Sequence, residues 1–136
     1  MDKLTIKMLN PLSLAYMGDS ILDTYVRKHI ILKIKGKPNR LHQLSKQYVS
    51  AKGQAYALNI LMENEFFTEE ELEIIQRGRN AKSYTKAKNT DIQTYRKSSA
   101  IEAVIGYLFL IDETERLEEL VNKMIEITEE RLGANG

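Results

Sequence analysis

Apolar positions recur along the chain at intervals of three and four residues, and no stretch alternates with period two, so the predicted elements are helices. Asn10-Pro11 reads as a helix start, because Asn caps and Pro is tolerated in a first turn. A mostly apolar run from Leu12 to about Leu32 follows, and Gly36-Lys37-Pro38 breaks it. The spacing then predicts a short basic helix around Arg40 to Tyr48 and another from Ser50 to about Glu63. Thr68-Glu69-Glu70-Glu71 has capping-box spacing and starts a helix running to about Arg77. Residues 78–90 are basic, poor in large aliphatics and without period. They read as a loop, long enough that function or mobility is expected of it. Helices are predicted again from Asp91 to Ile111 and from Thr114 to about Leu132. The last shows Leu117, Leu120, Val121, Met124, Ile125 and Leu132 along one stripe with acids opposite, a face for a core or a partner. With two prolines, seven glycines and no repeat, the expectation is an all-α, single-domain protein over residues 1–136 with five to seven helices.

Composition narrows the classes. At 43% hydrophobic and 29% charged residues the chain is an ordinary globular one. The absence of cysteine excludes disulfides and thiolate metal sites and fits a reducing cytoplasm. No apolar run approaches the ~20 residues that cross a bilayer, and the N-terminus has no signal-peptide core. A soluble, cytoplasmic protein with no membrane partner is expected.

A net charge of +1 conceals alternating blocks. Residues 1–50 hold nine Lys/Arg against three Asp/Glu, and residues 51–75 hold one against six. Residues 76–100 hold seven against one, and residues 101–136 hold three against nine. A fold that joins the two basic blocks would carry a cationic face for phosphates. Solvated helix faces that happen to segregate would give the same pattern.

Two acids stand where acids are costly. Asp19 lies inside Leu12-Ser13-Leu14-Ala15-Tyr16-Met17-Gly18-Asp19-Ser20-Ile21-Leu22, and Glu102 inside Ala100-Ile101-Glu102-Ala103-Val104-Ile105-Gly106-Tyr107-Leu108. Both segments are apolar around most of their circumference, so both acids are expected to be largely buried. A buried carboxylate must be paired, hydrogen-bonded or bound to a cation. Neither has a basic partner three or four residues on. Gly18 and Gly106 sit close to them, and glycine within a helix, which costs up to ~1 kcal/mol against alanine, suits close approach of two backbones. That approach would bring the carboxylates together, and hard oxygen ligands so placed suit magnesium or manganese. Helix caps or salt bridges to distant Lys or Arg remain the alternative. Asp23, one turn after Asp19, is a candidate for an outer contact. His29 and His42 lie in basic, partly exposed segments with no nucleophile to activate. Tyr48, Tyr56 and Tyr107 fall at core spacing, whereas Tyr84 lies in the basic loop.

The segment from Leu14 to Asp23 resembles the signature helix of the ribonuclease III family, and Ile101 to Leu108 resembles its second catalytic helix. Arg40-Leu41-His42 through Tyr48-Val49-Ser50-Ala51 is similar to the basic helix between them. Within that family the chain resembles the Mini-III group, a catalytic domain lacking the double-stranded-RNA-binding domain, for which a chain ending at Gly136 leaves no room. Arg77-Gly78-Arg79-Asn80-Ala81-Lys82-Ser83, then Lys88-Asn89-Thr90-Asp91 and Tyr95-Arg96, also look like that group. The resemblance implies the helical bundle of a ribonuclease III endonuclease domain. It implies a homodimeric, magnesium-dependent endoribonuclease, manganese substituting, that cuts double-stranded RNA to leave 5′-phosphate and 3′-hydroxyl ends. The implied substrate is the 23S ribosomal RNA precursor, with ribosomal proteins or a pre-ribosomal particle as further partners.

Asp19 and Glu102 match two of the family's four carboxylates as metal ligands and catalytic groups. Ala15 and Ser99 replace the other two, so Ser99 and Asp23 become candidates for water-mediated contacts. Recognition of A-form RNA by shape and charge needs cations, and the candidates are Arg77, Arg79, Lys82, Lys86 and Lys88, with Lys46 and Lys52. Two rival expectations stand beside the nuclease: a non-catalytic double-stranded-RNA-binding module on the same fold, and a helical interaction protein whose acids only form salt bridges.

Overall fold

The computed structural model describes residues 1–81 and 91–135, and every element among them is helical. A five-residue helix, α1 (Lys3–Lys7), comes first, with the Asp2 side chain accepting from the Thr5 amide at 2.8 Å. Periodicity could not announce so short a segment; a tertiary contact supports it instead. Arg77 donates from Nη1 to the Lys7 carbonyl and from Nη2 to the Leu9 carbonyl at 2.9 Å, satisfying the helix's otherwise unpaired end.

Helix α2 (Pro11–His29) starts as expected, with Asn10 accepting from the Leu12 amide and Pro11 in the first turn. It widens into one π-helical segment, Ile30–Ile34, and ends where Lys35 takes φ 60°. Then come α3 (Pro38–Val49), α4 (Ala51–Glu63) and α5 (Glu69–Asn80). The capping box is present: Thr68 Oγ1 accepts from the Glu71 amide at 3.1 Å, and Glu71 Oε1 accepts from the Thr68 amide at 3.0 Å. Glu71 also receives the Arg116 guanidinium at 2.7 and 2.9 Å, so this buried carboxylate is paired.

The boundary at Arg77 needs correcting. Gly78, Arg79 and Asn80 belong to α5 rather than to a loop, because Gly78 packs on α6 (Ile92–Leu110). A Cβ there would stand 2.8 Å from Ala100 Cα. Residues 82–90, with Lys82, Tyr84, Lys86 and Lys88, lie outside the described residues. Helix α7 (Thr114–Asn135) closes the chain. Its predicted stripe is buried from Leu117 to Ile125, facing the core.

Helix α6 is the axle, packed by α2, α4, α5 and α7. From Ser98 to Leu108 every residue is buried except Glu102, which is half-buried. An apolar helix enclosed by its neighbours tolerates a carboxylate only where something receives it. No helix among the described residues is long and apolar enough to cross a membrane.

Candidate active site

The site is made by the crossing of α2 and α6. A Cβ on Gly18 would stand 1.8 Å from the Glu102 carbonyl oxygen, and one on Gly106 would stand 1.9 Å from the Leu14 carbonyl oxygen. Each glycine lets the other helix's backbone into the space a side chain would occupy. The two contacts lie on opposite sides of one crossing and fix its register. Asp19, next to Gly18, is thereby carried to the position of Glu102.

The two acids differ in burial, which corrects one expectation. Glu102 is half-buried as part of α6, but Asp19 is exposed. Gly18 occupies the contact line, so its neighbour, about 100° further round the helix, lies at the rim. The pair therefore opens to solvent on one side. Burial first, and then the adjoining Asp19 carboxylate, push Glu102 up to about 8 from its usual value of 4.5. Two carboxylates in reach of each other, one of them partly desolvated, favour a proton or a cation between them.

A third side chain, not among the sequence candidates, stands at the pair. Gln54, only 2% exposed, reaches from α4. Its Nε2 donates to Glu102 Oε2 at 3.1 Å and to the Val49 carbonyl at 2.8 Å. Its Oε1 is buried without a hydrogen-bond partner. Such an orphan costs about 1–3 kcal/mol. A signal was present in the sequence: Gln54 shares the apolar stripe of Ala57, Leu58 and Leu61, all buried. An amide on an apolar helix face, like a carboxylate, is costly unless something receives it.

The remaining candidates divide. Ser99 is buried one turn before Glu102. Asp23 is half-buried and pairs through Oδ2 with Arg27 at 2.9 Å. Lys46 on α3, Lys52 on α4 and Arg79 at the end of α5 are exposed. Arg77 is half-buried with two of its nitrogens on backbone carbonyls. Tyr48 and Tyr107 are core residues, while Tyr56 lies half-open beneath the Arg131 guanidinium. His29 pairs with Glu129 at 2.8 Å, away from the acids, and His42 is exposed.

No group of three or more His, Cys, Asp or Glu placed to hold a metal ion occurs among the described residues. A divalent cation at the crossing would have the two carboxylates as its protein ligands, with the amide oxygen of Gln54 beside them in reach of its water shell. These are hard donors that suit magnesium, whose remaining positions are commonly taken by water and substrate. The orphaned Oε1 and the crowding of Glu102 by Asp19 both fit such an occupant.

Residues 12–113 match a family described as Ribonuclease III domain. The chain is 69% identical over 126 residues to the "Mini-ribonuclease 3" of Staphylococcus aureus, covering 93% of this chain and 94% of that one. It is 48% identical over 124 residues to the "Mini-ribonuclease 3" of Streptococcus pneumoniae, covering 91% and 97%. Among solved structures, the X-ray structure of a Fusobacterium nucleatum protein superposes with a TM-score of 0.75 at 26% identity, covering 88% of this chain and 93% of that one.

Proposed function

The chain belongs to the ribonuclease III family, in its Mini-III group, and is an endoribonuclease; from that premise we propose that it cuts double-stranded RNA with magnesium held at Asp19 and Glu102. The observation that carries this reading is the glycine-to-carbonyl crossing of α2 and α6, which juxtaposes two carboxylates at a solvent-facing rim. Such a cation, when bound, offsets charge on the phosphate and the leaving oxygen and acidifies a water.

The chain's own residues do the rest. Asp19 and Glu102 hold the site, and Glu102 must be ionised to do so. Gln54 fixes the Glu102 rotamer through Nε2. Lys46, Lys52 and Arg79 offer cations to the phosphates of an A-form duplex, with Lys82, Lys86 and Lys88 as further candidates. Arg77 is better suited to holding α1 against α5 than to binding RNA. Hydrolysis in line with the phosphodiester leaves a 5′-phosphate and a 3′-hydroxyl.

The working form is a homodimer built on the outer face of α2. That face leaves Tyr16 84% exposed, three residues before Asp19, and the turn beyond α2 leaves Ile31 56% and Leu32 60% exposed. Membership of the Mini-III group supports the ends of the 23S ribosomal RNA precursor as substrate, met in the cytoplasm on a pre-ribosomal particle with its ribosomal proteins. Incubation with matched duplex and single-stranded RNA, in magnesium, in manganese and in chelator, tests the reading. Cleavage of the duplex alone, only with metal and with 5′-phosphate ends, is expected. Retention of the duplex without cleavage in either metal would make the protein a binding module instead.

A further inference from the structure

We propose that Gln54 is a third arm of the metal centre, its Nε2 positioning Glu102 and its Oε1 accepting a hydrogen bond from the hydration shell of the bound cation. The inference rests on the reading of Asp19 and Glu102 as the metal pair, and goes beyond it by giving the site a neutral oxygen where the chain has lost two acids.

The orientation of the amide follows from its partners. A carboxamide has two donors on nitrogen and one acceptor oxygen. The Val49 carbonyl can only accept, so the atom 2.8 Å from it is the nitrogen. The same nitrogen gives its second proton to Glu102 Oε2 at 3.1 Å. Both donors are therefore committed, and Oε1 is the one valence left, on a side chain 2% exposed. Because nitrogen and oxygen share one planar group, the oxygen lies beside the atom that touches the acid. A buried acceptor left over in this place calls for a donor brought in from outside, and water in the shell of a divalent cation is a strong one.

The local backbone holds the amide there. Ser50 Oγ caps α4, accepting at 3.1 Å from the amide of Gly53, the residue before Gln54. A Cβ on Gly53 would stand 2.4 Å from the Gln47 carbonyl, so the α3–α4 corner closes tightly. Val49, which anchors the amide, belongs to that corner. Gln54 is thus tied to the backbone on one side and to Glu102 on the other, the arrangement by which outer partners orient metal ligands.

Manganese binding to the whole protein without RNA is the test, comparing wild type, Gln54→Met and Asp19→Asn. Methionine conserves shape while removing the amide. A tenfold to hundredfold loss of manganese affinity is expected for Gln54→Met, the range found when outer partners of metal ligands are removed. Its cleavage of duplex RNA should recover at high magnesium, which a merely structural defect would not allow. If folded Gln54→Met binds manganese like wild type while Asp19→Asn does not, Gln54 has no part in the site and the acid pair stands. If Asp19→Asn also binds like wild type, the acid pair itself is not the metal site. Should the methionine variant not fold, the wild-type protein decides. Saturating magnesium, which is diamagnetic, should shift the side-chain carbonyl carbon of Gln54 as Oε1 gains a donor; an unmoved Gln54 carbonyl beside a shifted Glu102 carboxyl carbon would overturn the proposal, and an unmoved Glu102 would overturn the acid pair instead.

Discussion

Gly18 meets the backbone carbonyl of Glu102 so closely that a single added Cβ would stand 1.8 Å from its oxygen. The contact is backbone to backbone, so no side-chain rotation can relieve it. Gly18→Ala must therefore push α2 and α6 apart, at a cost of roughly 3 kcal/mol, the upper end of ordinary overpacking. Urea unfolding should show that loss, and the folded fraction should cleave poorly, because Asp19 no longer reaches Glu102. An alanine variant of wild-type stability would mean that the crossing is not as close as described.

Glu102 sets a pH dependence of opposite sign to that of a salt-bridged acid. Burial and Asp19 raise its folded-state value to about 8 from 4.5, so between these limits the folded protein holds a proton that the unfolded chain has released. Metal-free stability should fall as pH rises through that window, by at most roughly 5 kcal/mol. Glu102→Gln should flatten this slope, and saturating magnesium should reverse the loss. Magnesium binding below pH 8 should release close to one proton, readable by calorimetry in buffers of different ionisation enthalpy.

Two arginines two residues apart are expected to behave differently. Arg77 bonds the carbonyls of Lys7 and Leu9, so Arg77→Ala should cost about 1–3 kcal/mol of stability and leave the salt dependence of RNA binding unchanged. Arg79 is exposed, so Arg79→Ala should keep stability and reduce the slope of binding against salt by about one ion. A matching pair of phenotypes would remove Arg79 from the RNA surface.

Tyr16 tests the dimer. At 84% exposed on the outer face of α2, it belongs to the proposed interface, and Tyr16→Glu should give a folded monomer in sedimentation at micromolar concentration. If the wild type already sediments as a monomer, that face has another role.

Much of this site was legible in the sequence because it depends on residues that are expensive where they stand. Gly18 and Gly106 inside apolar helices announced a close crossing, and Asp19 and Glu102 beside them announced what the crossing brings together. The exposure of Asp19 was not legible, since an apolar segment does not reveal which side of the contact line a residue falls on. Gln54 was missed because an amide is uncharged and its burial is cheaper than an acid's. Helix α1 was too short for periodicity, and its partner Arg77 lies seventy residues away. The last turn of α5 was misread as loop because a basic Gly-Arg-Asn sequence has poor helix propensity, which the packing of Gly78 on Ala100 overrides.

Whether Asp19 and Glu102 carry the chemistry is decided by magnesium-dependent cleavage of a long RNA duplex by the intact protein, Asp19→Asn and Glu102→Gln, with folding of each checked by circular dichroism. The intact protein should cut, and both folded variants should lose at least about a hundredfold in rate, the size of effect attached to removing a group that stabilises the transition state directly. Cleavage by either variant at the intact protein's rate would contradict that role.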